Sequence, residues 1–410
     1  MPVIAMMFGS FCHGEEVAGK VAAELEYSLL KDDFFFARAA GNFRMDEGKL
    51  RKAVTGKTSV FNQFTHERER ALAYLKATLA ESLTGDNLLL LGFLAHLIPP
   101  EISHVLKVCL IADIRRRVRE ARRVEGISEK DALKRIHKDD EGIVLWTEYL
   151  FQRKDPWAPD LYDILLPMGK DSVDRAAAVI CENVRKQVLM VSDQSRRGVE
   201  DFILASRVNV KLAEEGHDVQ VSARDGHVRV TINKKVLRLS ALEEELKKLA
   251  LSVPSVRSVE TRVGAGYYQT DIYRKYEFDV PLPTKVLLVD DEREFVETLS
   301  ERLRMREVSS AVAYNGREAL DVVDADEPEV MVLDLKMPGI DGLEVLRKVR
   351  DEHPDVEVIV LTGHGSEEIR RICMEMGACA YLEKPVEMEN LTAAMKEAYD
   401  RVKQRKARQR

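Results

Sequence analysis

From Thr284 onward the chain alternates short apolar runs with amphipathic stretches at a spacing of about 25 residues, and few folds accept that rhythm. The runs at 285–289, 308–313, 330–333, 356–361 and 380–382 are apolar along their length, as strands covered on both faces must be. The pattern predicts an α/β domain with a five-stranded, doubly wound parallel sheet. Ser366, followed by Glu367 and Glu368, predicts a capped and acidic first turn for the fourth helix.

Four marks recur just past these runs. Asp290-Asp291 follow the first, Asp334 the third, Thr362 the fourth and Lys384-Pro385 the fifth. Carboxyl ends of parallel strands are where open sheets hold their chemistry. Clustered carboxylates repel one another unless a hard cation joins them, so Asp290, Asp291 and Asp334 predict a Mg²⁺ site. Lys384 can then act as a fixed positive charge, and the Thr362 hydroxyl as a donor, for a phosphoryl group carried by Asp334. Taken singly, a strand-end aspartate is usually a helix cap, a threonine usually packs, and Tyr381 reads as a core aromatic. The combination is far more specific than its parts.

Together these residues make 284–405 resemble the receiver domain of two-component response regulators. The resemblance implies a flavodoxin-like fold and a phosphoryl group accepted by Asp334 from a sensor histidine kinase or phosphotransfer protein. It also implies Mg²⁺ held by Asp291, Asp334 and the Lys336 carbonyl with support from Asp290, and a switch formed by Thr362 and Tyr381. Receivers often dimerise through their last two helices and the strand between them, which leaves a homodimer open.

The first residues open with an apolar strand, Val3 to Met7, a loop from Gly9 to Gly14, and a helix through Leu25. Gly9, Ser10, His13 and Gly14 lie in a loop with P-loop glycine spacing, but Glu15 stands where phosphate chemistry needs lysine and Glu16 where Mg²⁺ needs Ser or Thr. Thr55-Gly56-Lys57-Thr58 is no substitute, because Arg51 holds the first glycine's place and no apolar strand precedes it. Further strands are expected at Asn87–Leu91 and Val105–Ile111, then an arginine-dense helix from Ile114 to Val124. Such a helix is most often a solvated face paired with acids such as Glu120 and Glu125. His13 reads as a loop histidine, and Trp146, Tyr149 and Trp157 as packing.

The segment resembles the cytidylate kinase-like family of P-loop nucleoside monophosphate kinases. The likeness runs from Ile4 through the Val17-Ala18-x-x-Val21-Ala22-x-x-Leu25 helix, Leu91 to Ala95, Val105 to Ala112 and Gly126-Ile127-Ser128 to Asp163. It implies ATP and CMP as ligands and makes Arg117 a loose match to a lid-helix arginine. Glu15, Gly92-Phe93-Leu94-Ala95 and Ile143 depart from the charged positions of active members, which favours a non-catalytic module.

Residues 196–266 read as helix, hairpin, helix and strand, with Asp225-Gly226 at the hairpin turn. That order resembles a BON domain, a small α+β module; an unrelated α+β spacer fits equally. The domain boundaries expected are 1–183 for the kinase-like part, 184–266 for a helical connector and the α+β part, 267–283 for a tyrosine-rich linker and 284–410 for the receiver.

The balance of 63 basic and 70 acidic residues gives net −7, so no overall charge favours nucleic acid or an anionic membrane. No helix-turn-helix pattern is present, and DNA output is not expected. Leu88–Ile98, the longest strongly apolar stretch, is interrupted by Gly92 and His96 and is about half a bilayer span. The amino terminus lacks a basic leader, and the five cysteines are odd in number and never in C-x-x-C spacing. A cytoplasmic chain with reduced thiols is expected, and the basic run from Lys403 reads as a solvated helix end. The function expected is a Mg²⁺-dependent phosphorelay receiver switching a non-DNA-binding output. The competing reading is a receiver-gated nucleoside monophosphate kinase.

Overall fold

A computed structural model describes the chain except residues 1, 57–58, 170–171, 235, 237, 265–266, 268–282, 305–307, 364 and 409–410. The expected linker therefore lies almost wholly outside the described residues. The chain divides into two compact units, Met1–Lys57 with Glu67–Lys275, and Thr58–His66 with Tyr276–Arg410.

In the first unit, β1 (Val3–Phe8), β2 (Ser28–Lys31), β3 (Leu88–Leu91), β4 (Val105–Ile111) and β5 (Ile164–Pro167) form a parallel sheet in the order β2-β3-β1-β4-β5. Side chains alternate across it: Val3 and Ala5 enter one apolar cluster, Ile4 and Met6 the other. β1, β3 and β4 are legible as apolar runs. β2 and β5 are not, because they are four-residue edge strands with partly exposed faces.

The same unit carries a second, smaller sheet of β6 (Gln220–Arg224), β7 (His227–Ile232) and β8 (Ser258–Val263), in that order. β6 and β7 are antiparallel, joined by Asp225 and Gly226 at φ of 51° and 83°, the left-handed pair that a two-residue hairpin turn demands. The Asp193–Glu214 helix starts in a capping box of Ser192 and Ser195. Its Val199 and Phe202 join the core of the first sheet, while Leu204, Val208 and Leu212 join that of the second. Helix, hairpin, helix (Leu239–Leu251) and strand follow the expected order.

The second unit contains β9 (Val286–Val289), β10 (Ser310–Ala313), β11 (Val330–Leu333), β12 (Glu357–Thr362) and β13 (Ala380–Glu383), all parallel in the order β10-β9-β11-β12-β13. All five lie within about two residues of the positions expected. β9, β11 and β12 are buried at every position, and alternate side chains feed the two cores on either face. Phe61, from the short segment assigned to this unit, is fully buried in one of them. Ser366 caps the Glu367–Glu375 helix by accepting from the Ile369 N–H.

The basic run from Lys403 is a helix end with Lys403 and Lys406 exposed, as expected, but Arg405 is partly drawn in. The run ends the Met388–Arg408 helix, where Arg405 pairs with buried Glu357 and donates to the Pro354 carbonyl, and Lys406 Nζ lies 3.1 Å from Glu329. A carboxylate remote in sequence, Glu357, draws Arg405 onto the sheet. The five cysteines are buried and free. Among the described residues, no helix is long and apolar enough to cross a membrane.

Candidate functional site

β9 and β11 are neighbours in register, with Leu333 beside Val289, so the residues that follow them, Asp334 and Asp290, emerge side by side. Asp290, Asp291 and Asp334 place carboxylate oxygens within 4.8 Å of one another, with Asp290 and Asp334 buried and Asp291 exposed. Lys384 follows β13 and hydrogen-bonds through its backbone N–H to the Thr362 carbonyl. Its ammonium reaches 2.6 Å from Asp290, 3.3 Å from Asp334 and 3.4 Å from Glu292. The expected residues 290, 291, 334 and 384 thus converge.

Local bonds fix their poses. Asp334 Oδ1 accepts from the Leu335 N–H at 2.7 Å and, at 3.4 Å, from that of Lys336; Asp290 Oδ1 accepts from the Glu292 N–H. The Asp334 backbone runs so close to Gly342 that a Cβ there would meet the Asp334 carbonyl at 2.2 Å, and glycine admits the approach. Lys384 also lies over the Phe295 ring, 4.4 Å from its centre. Glu292, Phe295 and Gly342 were not singled out in sequence; their only local signal is nearness to Asp290 or Asp334.

The charges are unequal: three carboxylates and Glu292 face one ammonium. Burial raises the Asp290 carboxyl above its ordinary pKa, against the pull of Lys384 and the Glu292 N–H. Burial alone would lower the Lys384 ammonium, but its hydrogen bonds and charge contacts with Asp290 and Asp334 hold it raised. An all-oxygen, hard, negatively charged donor set of this kind fits Mg²⁺.

Thr362 ends β12 and is 1% exposed, so its hydroxyl is held at the strand tip rather than spread over the surface. Tyr381 is half-buried, its hydroxyl buried beside Gly365 and without a hydrogen-bond partner among the described residues. Burial raises that phenol's pKa. The ring packs on the same core face as Leu333 and Val360, consistent with an aromatic that sits between packing and response.

The amino-terminal loop has a different character. Arg117 is 3% exposed and spends its guanidinium on protein: Nε and Nη2 donate to the Ser10 carbonyl and hydroxyl, and Nη1 and Nη2 grip Asp140 at 2.8 and 2.7 Å. Arg117, the loose match to a lid-helix arginine, is neither solvated nor free but a clamp on the loop. Gly14 begins the Gly14–Leu25 helix against the Phe8 ring, where a Cβ would come within 2.1 Å. Glu15 pairs with Lys31 at 2.7 Å, and Glu16 and Glu120 flank His13 at 3.3 and 3.7 Å. Gly9 and Ser10 lie against Arg117, and of the expected loop residues His13 borders a cavity of about 230 Å³, walled also by Cys12, Arg116, Arg119, Glu120 and Arg123.

Nearby, Asp32 accepts from the Phe93 and Leu94 N–H groups at 2.7 and 3.2 Å, seating the Gly92-Phe93-Leu94-Ala95 element that sequence marked as altered. Burial pushes the Asp32 carboxyl up to about 7, opposed by those two bonds. Trp146 is fully buried and donates to the Phe93 carbonyl, the packing role expected of it.

Residues 286–396 match the response regulator receiver domain family, and residues 3–170 match the cytidylate kinase-like family. The response regulator MprA of Mycolicibacterium vanbaalenii is 41% identical over 115 residues, covering 28% of this chain and 50% of that protein. MprA of Mycobacterium avium is 40% identical over 119 residues, 29% of this chain and 52% of its own length. The chain spans about half the length of the curated relatives it matches. A receiver domain crystal structure from Clostridium thermocellum is 31% identical, with a TM-score of 0.28, covering 29% of this chain and 96% of that one.

Proposed function

We propose that this chain, a response regulator receiver domain joined to a cytidylate kinase-like domain, works as a phosphorelay switch with a non-DNA-binding output. The observation that carries the reading is the Lys384 ammonium held between Asp290 and Asp334 at the mouth of a three-carboxylate cluster.

Asp334 Oδ attacks the phosphorus of a phosphohistidine on a sensor kinase or phosphotransfer protein. The P–N bond breaks, an acyl phosphate forms on Asp334, and the leaving imidazole keeps the electron pair and takes up a proton. Asp290, Asp291, Asp334 and the Lys336 carbonyl would hold Mg²⁺, which supplies charge neutralisation for the phosphoryl oxygens. Lys384 exchanges part of its contact with Asp334 for the new phosphoryl oxygens, and the Thr362 hydroxyl donates to them. Thr362 movement opens space for Tyr381, whose unbonded hydroxyl gives its inward pose little polar cost to leave.

The kinase-like domain serves this switch as a binding or interaction module. Arg117 neutralised by Asp140, and Glu15 at the lysine position, support a loop without phosphoryl-transfer chemistry. The cluster of Arg116, Arg119 and Arg123 beside His13 favours a second reading, a gated nucleoside monophosphate kinase. Cytoplasmic location accompanies the proposal, which leaves a receiver-mediated homodimer open.

Incubation with acetyl [³²P]phosphate and Mg²⁺ should label the protein, and Asp334→Asn should abolish the label; an equally labelled variant would refute the acceptor. Calorimetry with ATP and CMP, with and without beryllofluoride, separates the two outputs. Heat of binding in either state followed by CMP phosphorylation would overturn the non-catalytic module.

A further inference from the structure

A cavity of about 1330 Å³ in the first unit is an open groove between the Glu67–Ser82 and Asp193–Glu214 helices and the whole length of β6. It exceeds the usual range of small-molecule clefts, roughly 300–1,000 Å³. One wall is the outer edge of a sheet. Among the described residues β6 pairs only with β7, and the two-residue turn makes Arg224 and His227 a hydrogen-bonded pair, as are Ser222 with Arg229 and Gln220 with Thr231. The N–H and C=O groups of Val221 and Ala223 therefore point away from β7, into the groove. No hydrogen bond reaches them from another element among the described residues.

A second observation lies on the facing helix. Lys76 lines the groove, on the same helical face as Leu72 and Glu69, and its remaining exposure is to the groove itself. Among the described residues it has no ion-pair or hydrogen-bond partner. Enclosure lowers the pKa of its ammonium, with no neighbouring charge to counter the effect. A half-buried cation without a counter-charge carries a desolvation cost, which an incoming carboxylate would offset. The other enclosed charges of the groove are engaged: Asp218 with Lys234, and Asp201 with the Asp225 N–H.

We propose that this groove binds an extended peptide segment of a partner protein, which adds a strand to β6 and places an aspartate or glutamate side chain on Lys76. The outward N–H and C=O groups of Val221 and Ala223 supply the main-chain register, spaced two residues apart as a parallel or antiparallel strand requires. Leu72, Phe202 and Ala205 give the apolar floor between the strand edge and the lysine. The carboxylate supplies the missing counter-charge, so acidic peptides are selected over neutral or basic ones. The site is independent of the phosphoacceptor chemistry and stands or falls apart from it.

The test pans a phage-displayed library of random octapeptides on full-length protein, with the Lys76→Met protein as counter-selection. Enriched peptides are then made with acetylated and amidated ends and titrated by fluorescence anisotropy. They should share one acidic position, and Lys76→Met should weaken them by roughly tenfold or more. Glutamine in place of the acidic residue should weaken wild type equally and erase the difference between the proteins. N-methylation at alternate peptide bonds should abolish binding in one register only. Methionine preserves the lysine stem's packing and removes a half-buried, unpaired charge, so the variant should melt at or above the wild-type temperature, which separates lost binding from unfolding. Failure to enrich acidic peptides, equal affinity for Lys76→Met, or undiminished binding of N-methylated peptides would overturn the proposal. Displacement of the peptides by free glutarate at matching affinity would also overturn it, in favour of a small-carboxylate pocket.

Discussion

Replacing Lys384 by methionine tests the electrostatics of the receiver site most directly. Methionine keeps the packing of the stem on Phe295 but withdraws the one ammonium that faces Asp290 and Asp334, whose side chains are 5% and 6% exposed. Breaking a buried pair from one side costs on the order of 3–5 kcal/mol. The orphaned carboxylate has an escape, which is to take up a proton. Neutralising at pH 7 a carboxyl that titrates near 4 when unfolded costs about 3 pH units at about 1.4 kcal/mol each, so the penalty is capped near 4 kcal/mol. The cap falls with pH. In the variant the folded state holds a proton that the unfolded state releases above pH 4, so its stability declines as pH rises from about 4 to 7. At pH 5 the same arithmetic leaves about 1.4 kcal/mol.

For a domain of this size the pH 7 deficit corresponds to a fall in melting temperature of roughly 10–20 °C. Scanning calorimetry of the full chain measures it. The two tryptophans, Trp146 and Trp157, both lie in the first unit, so fluorescence melting assigns that unit's transition and leaves the receiver's by difference. Added Mg²⁺ should recover part of the loss, because a divalent cation replaces the missing positive charge. A fall of less than about 3 °C at pH 7, or a deficit equal at pH 5 and pH 7, would refute the reasoning.

Asp140→Asn should strand the buried Arg117 guanidinium and cost the first unit about 3 kcal/mol, read as an earlier tryptophan-fluorescence melt; an unchanged melt would show the clamp to be dispensable. Asp32 is raised to about 7 when folded, so folding takes up a proton between roughly pH 4 and 7 and stability falls as pH rises through that window; Asp32→Asn should flatten the slope of the first unit's melting temperature against pH. His353 donates toward Glu327 at 2.6 Å and Asp324 at 3.0 Å; burial alone would lower its pKa, but the two carboxylates hold it raised. Its contribution is complete below the unfolded value near 6.5 and is lost as pH rises through the folded value, so His353→Gln should lower receiver stability at pH 6 and leave it unchanged at pH 9.

Much of this architecture is local and therefore written in the chain. Runs such as Val286–Val289 and Val330–Leu333 are apolar at every position because a sheet covered on both faces exposes none of them. Asp290, Asp334 and Lys384 follow strands of one parallel sheet directly, so the shared strand direction carries them to its carboxyl end. Asp225-Gly226 determines a hairpin because its two residues must adopt positive φ. The short edge strands β2 and β5 were illegible for the complementary reason: two or three apolar residues in a half-exposed strand are too short a run to stand out from a loop.

Pairing between distant residues was decided only by the tertiary structure. Arg117 and Arg123 look alike within one arginine-dense helix, yet the first is buried against Asp140 and Ser10 while the second lies exposed beside Glu120. Lys76 is one lysine of an ordinary helix until β6 and the Asp193–Glu214 helix enclose it without a partner. Arg405 reads as a solvated tail until the sheet brings Glu357 to it. A charged side chain carries the same letter in water and in a groove; its dielectric surroundings and its counter-charge come from segments far along the chain, and folding alone brings them to it.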